Sequence, residues 1–238
     1  MLAITGGKGG TGTTTTALGL AWALGGRRAS VAVDGDWRLP NLHALAGVGR
    51  GWDAETPCGL PAYPPRDDST APEVAGARFY RPACGGSETD DDSASDTTAV
   101  LPAPAEPATR DRGALFRRLQ TLDRPVVVDC PSGVGPDATA PLRSADAAVL
   151  VTTTCAPAVR DTQKSSRQAA AVETPVTAVA VTRTATVPTR LDAVFDAPTV
   201  GVPPATPPVL DDDGVRAAYQ RLARAVTDGA TPSASETT

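Results

Sequence analysis

The sequence contains few lysines, a single histidine and few aromatic residues. Only two lysines, Lys8 and Lys164, are found among 22 basic residues, and aromatic side chains make up 4% of the chain. No Ser–His or Cys–His catalytic triad can be built without His43, which we expect to serve packing rather than catalysis. The four cysteines include no C-x-x-C pair, which argues against a disulfide scaffold or zinc ribbon and favours a cytoplasmic protein.

Long apolar runs and an excess of positive charge are also missing. No apolar stretch approaches the roughly 20 residues of a membrane span. The sequence does not open on a basic segment followed by a long apolar one, so we expect no signal peptide. The 238 residues carry a net charge of −5, which argues against a general polyanion binder. This length fits one large domain or two small ones.

The choice of charged residue is uneven within each sign. Arginine outnumbers lysine by 20 to 2, and aspartate outnumbers glutamate by 21 to 6. Few lysines, many aspartates and small core residues resemble the proteins of halophilic, salt-loving organisms. Codon bias in a GC-rich genome is an equally good explanation of the same composition.

The apolar pattern alternates between short continuous runs and helical spacing. Residues 1–5 predict a buried strand, 14–24 a helix and 30–34 a second strand, which together form a βαβ unit. Further along, the same criteria predict strands at 125–129, 147–152, 176–182 and 199–202, and helices at 111–122, 158–171 and 214–226. This order predicts an α/β fold, in which helices flank both faces of a mostly parallel sheet.

A proline-rich and acidic region interrupts this alternation at about 49–109. Its prolines break any long helix before residue 78, and residues 78–82 predict one short strand. We expect residues 83–109 to form a solvated insertion that buries little apolar surface, with partner binding as the alternative. We therefore predict a single domain over 1–228 and a disordered tail over 229–238.

The segment between the first strand and the first helix has the composition of a phosphate cradle. Residues 6–12 read GGKGGTG, and four threonines follow at 13–16. Glycines allow backbone N–H groups to turn towards an anion, and the positive end of the helix adds to the attraction. Because consecutive threonines are poor helix formers, we interpret their hydroxyls as ligands of phosphate or Mg²⁺. The alternative is a tight turn with threonine as the N-cap.

Two kinds of nucleotide site fit this loop. The G-x-G-x-x-G spacing at 7–12, followed by Asp34 at the end of the next strand, matches the dinucleotide fingerprint. A loop for a nucleoside triphosphate requires further acids at strand ends, to hold Mg²⁺ and water. Asp36 and Asp129 supply such acids, so the sequence favours the triphosphate interpretation.

Several segments together resemble the MinD/ParA family of P-loop ATPases. Residues 7–15 (GKGGTGTTT) resemble the family's deviant Walker A loop, K-G-G-x-G-K-[TS]-T. Residues 34–36 (DGD) with 40–42 (PNL) resemble its first switch, and residues 126–133 (VVVDCPSG) resemble its second switch. Residues 145–161 are similar to the strand and helix that follow, and residues 201–203 (GVP) to the last strand. Each motif alone is weak, whereas the set in this order is specific.

The resemblance implies ATP and Mg²⁺ as ligands and assigns roles to residues. Lys8 would reach the phosphates of the partner subunit across an ATP-sandwiched homodimer. Thr14 would ligate Mg²⁺, Asp34 and Asp129 would hold it through water, and Asp36 would orient or activate the attacking water. The residues implied to contact the nucleotide are Gly7, Lys8, Gly9, Gly10, Thr11, Gly12, Thr13, Thr14, Thr15, Arg183 and Pro203.

The sequence departs from the family pattern at two places in the site. Thr13 stands where the family has a second lysine, which touches the β- and γ-phosphates in its own subunit. Losing such a charge-assisted contact costs about 1.5–3 kcal/mol of binding, and turnover suffers further because phosphoryl transfer relies on charge compensation. Residues 182–185 (TRTA) lack the asparagine that often contacts the base, so a preference for adenine is not implied.

These features predict a nucleotide-dependent switch. We expect an ATP-dependent dimer with weak or conditional ATPase activity, which organises cell division, partitioning or polar machinery through an unidentified protein partner. A non-hydrolysing scaffold of the same fold is the alternative, and a dinucleotide-binding redox protein is a third. The C-terminal region has no basic amphipathic helix for a membrane, and Arg216, Arg221 and Arg224 fit a solvated helix face better than a DNA-binding surface.

Overall fold

Helices and strands alternate along most of the chain. The computed structural model describes residues 1–25, 30–48, 78–80, 98–104 and 111–229. The strands are β1 (Leu2–Gly6), β2 (Val31–Asp34), β3 (Arg78–Tyr80), β4 (Thr98–Leu101), β5 (Val126–Asp129), β6 (Ala147–Thr153), β7 (Val176–Thr182) and β8 (Thr199–Val202). The helices are α1 (Thr13–Gly25), α2 (Leu42–Leu45), α3 (Arg112–Gln120), α4 (Pro136–Arg143), α5 (Ala156–Ala171), α6 (Thr189–Asp192) and α7 (Asp213–Gly229), and a 3₁₀ turn covers Val209–Asp211.

The eight strands form one sheet in the order β3-β4-β2-β5-β1-β6-β7-β8. All neighbouring pairs are parallel except β3 and β4, which pair antiparallel at one edge. The predicted fold class, a mostly parallel α/β sheet, is therefore confirmed. The central strands are buried on both faces, which explains why they read as continuous apolar runs.

Helices cover both faces of the sheet. On one face, Leu2 and Ile4 of β1 belong to a core that includes α1 and α7. On the other face, Ala3 belongs to a core with Phe116 of α3 and Leu142 of α4. This division follows from the two-residue period of a strand, which sends successive side chains to opposite faces.

Helices α1 and α7 pack against each other at unusually short range. A β-carbon at Gly19 of α1 would lie 2.4 Å from Cδ2 of the Tyr219 ring on α7. Burial raises the pKa of Tyr219 to about 12, and its hydroxyl lies 3.4 Å from Oγ1 of Thr16. Thr16 therefore belongs to the helix interface and not to the glycine loop.

The expectation that all of residues 83–109 form a solvated insertion is wrong for 98–104. Strand β4 lies inside that range, between β3 and β2, and Val100 is fully buried. Four residues of apolar pattern between an acidic run and three prolines give too short a signal, and only pairing with β2 stabilises the strand. The rest of 83–109 and all of 49–77 lie outside the described residues.

Other differences are smaller. Helix α4 was not predicted, because Pro136 and Pro141 both lie within it. Proline is compatible with the first turn of a helix, and the first of them occupies that turn. Helix α7 continues to Gly229, and the predicted tail beyond it lies outside the described residues. Within the described part of the chain, no helix combines the length and the apolarity that a membrane crossing requires.

Candidate phosphate-binding site

The predicted site residues gather at the carboxyl ends of the central strands. The glycine loop (residues 6–12) joins β1 to α1, and the ends of β2, β5 and β7 surround it. In an open parallel sheet this edge is where ligands bind, at the point where the strand order reverses. We name residues 34–41, which begin with the aspartate that ends β2, the first acidic loop, and residues 129–135, which begin with the aspartate that ends β5, the second acidic loop.

Two glycines of the loop are required for different reasons. At Gly7 a β-carbon would lie 1.9 Å from the carbonyl carbon of Asp161, so the backbone of α5 leaves no room for a side chain. Gly12 has a φ of +94°, a conformation that other residues rarely adopt. Close packing against α5 and the left-handed turn into α1 together define the path of the loop.

The end of β7 holds two carbonyls of the glycine loop. The Thr182 hydroxyl donates to the Thr11 carbonyl at 2.7 Å, and the Arg183 guanidinium donates to the Gly10 carbonyl at 2.7 Å. Arg183 itself has a φ of +61°, which is costly for a residue with a β-carbon. Because the N–H of a trans peptide points away from its carbonyl, holding these carbonyls at the end of β7 turns the amides of Thr11 and Gly12 to the other side of the loop, where an anion can bind.

Threonine hydroxyls line the start of α1. The Thr11 hydroxyl donates to the Lys8 carbonyl at 3.0 Å and lies 3.5 Å from Oγ1 of Thr13. Thr13, Thr14 and Thr15 are all partly accessible in the first turn of the helix. These hydroxyls and the free backbone N–H groups of a helix N-terminus are suited to phosphate oxygens.

Asp34 and Asp129 lie side by side at the ends of adjacent strands. They are direct partners in the parallel register of β2 and β5, and the amide of Gly35 donates to the Asp129 carbonyl at 2.8 Å. The pKa of Asp129 is raised to about 8, mainly by burial. The nearby carboxylates of Asp34 and Asp36 contribute to this rise, while a hydrogen bond with the Thr14 side chain opposes it.

Asp34 is also buried, and its carboxylate is held by the backbone of the first acidic loop. Oδ1 accepts from the amide of Asp36 at 3.1 Å, and Oδ2 accepts from the amide of Leu42 at 3.2 Å. Burial raises its pKa to about 6 despite these hydrogen bonds. Asp36 is half-buried, and its Oδ1 accepts from the amides of Arg38 and Leu39.

The arrangement around Thr14 fits a magnesium ion. In the residues that the structure describes, no three His, Cys, Asp or Glu side chains form a metal cage of their own. Mg²⁺ does not need one, because it keeps several waters and binds through one or two carboxylates and phosphate oxygens. Burial disfavours the ionised form of both Asp34 and Asp129, and neighbouring carboxylates add to this effect, so a cation beside Thr14 would relieve both costs.

Lys8 lies in the loop itself, whereas Pro203 lies at the end of β8. Lys8 is exposed, and its charge is one of the causes that lower the pKa of Asp161, the largest being the hydrogen bond from Lys164. Pro203 directly follows β8, whose Val202 carbonyl accepts from the amide of Thr184 at 2.9 Å. The structure thus brings Pro203 and the segment after Arg183 to one side of the loop, where the resemblance implies the base.

Sequence reasoning missed one group of contacts beside the site. Trp37, Arg112 and Asp137 come together from the first acidic loop, α3 and α4. No local pattern connects these three residues, since their contact arises only when the sheet forms.

Comparison with solved structures identifies the fold. The cell division ATPase MinD of Pyrococcus furiosus is 21% identical, with a TM-score of 0.70, and the match covers 95% of this chain and 98% of that one. The chain has the MinD fold. A MinD from Pyrococcus horikoshii, complexed with Mg-ADP, is 20% identical with a TM-score of 0.69 and 94% of each chain covered.

The MinD fold is shared by proteins with other activities. Cobyrinic acid a,c-diamide synthase of Mycobacterium smegmatis, with bound ADP and magnesium, is 22% identical with a TM-score of 0.61, and the match covers 95% of this chain and 93% of that one. No protein-family model matches the sequence, and no curated protein is significantly similar to it. At these identities the likeness shows the MinD fold and leaves the activity to be argued from the site.

Proposed function

We propose that this chain is a divergent member of the MinD/ParA family that binds Mg-ATP in the glycine loop. The observation that carries the proposal is the meeting of the loop with Asp34 and Asp129 around the Thr14 side chain. Two of the similar structures contain ADP and magnesium, which fits the same ligands here. Bound Mg²⁺ would neutralise phosphate oxygens during phosphoryl transfer.

The chain's own residues would divide the work of binding. Backbone N–H groups of the loop would hold the phosphates, while Thr182 and Arg183 keep the loop carbonyls turned towards β7. Thr14, Asp34 and Asp129 would hold the cation, and Asp36 would orient water at the phosphate end. Lys8 is exposed at the outer part of the loop, a position from which it would reach the nucleotide of a second copy in an ATP-dependent homodimer.

The cellular role that we infer is the spatial organisation of cell division, partitioning or polar machinery. It rests on the fold shared with a cell division ATPase and on the switch-like pair of acidic loops. A non-hydrolysing scaffold is the second candidate, because Thr13 replaces the lysine that compensates charge on the β- and γ-phosphates. The fold and the paired acids give no support to the dinucleotide alternative, which the experiment below tests directly.

Calorimetric titration with Mg-ATP, with NAD⁺ as the competing ligand, tests the proposal. We expect micromolar binding of Mg-ATP and none of NAD⁺. Asp129→Asn should weaken Mg-dependent binding at least tenfold, because the loss of a single charge-assisted contact costs about 1.5–3 kcal/mol. Asp228→Asn, on the exposed end of α7, is the matched control and should change nothing. Absence of Mg-ATP binding up to millimolar concentration would refute the proposal.

Sedimentation and phosphate release then separate the two candidates. An active switch should dimerise with Mg-ATP and release phosphate slowly, and Lys8→Ala should abolish the dimer. Lys164→Ala, which removes the only other lysine, is the control and should leave the dimer intact. Binding without phosphate release over many hours would instead support the scaffold.

A further inference from the structure

The two acidic loops are joined at their base and again at their outer ends. At the base, the amide of Gly35 donates to the Asp129 carbonyl at 2.8 Å. At the outer ends, the joining group is Asp137, in the first turn of α4 directly after the second acidic loop. Two arginines reach its carboxylate, one from the first acidic loop and one from α3.

Trp37 ties the first acidic loop to the end of β2. Its side chain is buried, and its indole N–H donates to the Asp34 carbonyl at 3.1 Å. The Arg112 guanidinium lies over the indole ring, 4.6 Å from its centroid. A cation at that distance is attracted to the face of the ring.

Arg112 connects this tryptophan to α4. Its Nη1 donates to Oδ1 of Asp137 at 3.1 Å, and its side chain is only 17% exposed. Arg38 approaches the same carboxylate at 3.9 Å, but its side chain is 81% exposed. Water screens the outer contact far more than the inner one, so Arg112 is the stronger of the two connections.

The position of Arg112 in its helix supports a role outside α3. It is the first residue of that helix, where a positive charge opposes the helix dipole. The N-cap Asp111 offsets this by accepting from the amide of Ala114 at 3.0 Å. An arginine in this place is favoured by its contacts with Trp37 and Asp137, not by the helix to which it belongs.

We propose that Arg112 is a positioning residue that holds the first acidic loop and α4 in one arrangement, so that the two acidic loops move as a unit. The hydrogen bond between Gly35 and Asp129 holds the loops together at their base. The contacts of Arg112 with Trp37 and Asp137 hold them together at their outer ends. The consequence for catalysis rests on the proposed function. Asp36 and Asp129, which lie on the two sides of this connection, keep a constant separation while a nucleotide is bound.

Hydrogen exchange of the nucleotide-free protein tests the connection without any ligand. In Arg112→Ala, the non-proline amides of both 36–41 and 130–137 should exchange about threefold faster or more, because Arg112 contacts both segments through Trp37 and Asp137. Asp137→Asn should also speed exchange in both segments, because it removes the charge that Arg112 contacts on α4. Arg117→Ala is the matched control, since Arg117 lies on the same helix and pairs with Asp111 at 3.7 Å on the exposed surface.

The exchange rates of the two loops decide whether Arg112 connects them. Faster exchange in both loops, absent from Arg117→Ala and partly restored in Arg112→Lys, supports the proposal. Faster exchange in one loop only, in neither loop, or equally in the Arg117→Ala control overturns it. These results do not depend on whether Mg-ATP binds, so they are separate from the test of the proposed function.

Kinetics of the full chain add a second readout where phosphate release is measurable. Arg112→Ala should lower kcat about tenfold while the KM for Mg-ATP stays within about twofold, because misplacement of the water-orienting group affects the reaction and not the binding. A rise in KM with unchanged kcat would show that Arg112 acts on nucleotide binding instead, and would overturn its assignment as a positioning residue between the loops.

Discussion

The backbone of Gly7 lies directly against the backbone of Asp161. A β-carbon at Gly7 would be 1.9 Å from the Asp161 carbonyl carbon and 2.2 Å from its oxygen, and both belong to α5. Side chains can rotate away from an added methyl group, whereas helix backbone cannot. The glycine loop therefore takes its shape from α5, a helix that follows a different strand of the sheet.

Gly7→Ala should destabilise the fold strongly. The added carbon must displace either the loop or α5, so we expect a loss of about 3 kcal/mol or more in the free energy of unfolding. Gly9→Ala is the matched control, because a β-carbon at Gly9 meets no atom within 4 Å. Chemical denaturation of the two variants checks this, and equal stability of both would contradict the close packing.

The sequence was informative about the fold wherever periodicity was long. The central strands and helices α1 and α5 were predicted to within about two residues and α7 to within three, because continuous apolar runs and 3.6-residue spacing are strong signals. Strand β4 was missed because its order depends on pairing with β2, which no short window of sequence reveals.

In the candidate site, too, the sequence predicted the features that follow from local pattern and not the contacts between distant residues. Acids at the ends of two apolar strands, Asp34 and Asp129, were predicted to hold Mg²⁺, and the structure makes them neighbours at one edge of the sheet because β2 and β5 are parallel. The contacts of Arg183 with Gly10 and of Arg112 with Trp37 were not predictable, because each joins residues from distant parts of the chain.

Stability without ligands should fall as the pH rises from about 4 to about 8. The pKa of Asp34 is raised to about 6 and that of Asp129 to about 8, from 3.8 in the absence of burial. Between the unfolded pKa of 3.8 and these raised pKa values, the folded state binds more protons than the unfolded state, so each rise in pH favours unfolding. The raised pKa of Asp34 alone corresponds to a loss of about 2–3 kcal/mol over this range, and that of Asp129 adds to it; chemical denaturation at each pH measures the sum.

Asp129→Asn provides the control for this pH dependence. The amide keeps an oxygen for the Thr14 hydroxyl and cannot ionise, so the variant should be more stable than the wild type at pH 8 and nearly equal to it at pH 4. A wild-type protein whose stability rises between pH 4 and pH 8 would show that these carboxylates are not desolvated as the fold implies.

Thr13→Lys should strengthen nucleotide binding and increase phosphate release. The side chain begins at the first residue of α1, 3.5 Å from the Thr11 hydroxyl, where a longer cationic group can follow the loop. One charge-assisted contact is worth about 1.5–3 kcal/mol, or roughly 10–150-fold in affinity. Thr13→Met matches the length without the charge and should give no gain in Mg-ATP titrations.

Arg183→Gln should weaken binding of every phosphate-bearing ligand to a similar extent. Its guanidinium holds the Gly10 carbonyl at 2.7 Å and so keeps the glycine loop open to an anion. Because Arg183 acts on the ligand only through the loop, the loss of affinity should be smaller than that of a direct charge-assisted contact, about 3–10-fold. Titrations with Mg-ATP and with tripolyphosphate, which has no base, should show the same factor. Arg190→Gln, exposed on α6, is the control. Weaker binding of Mg-ATP alone would place Arg183 against the base and not behind the loop.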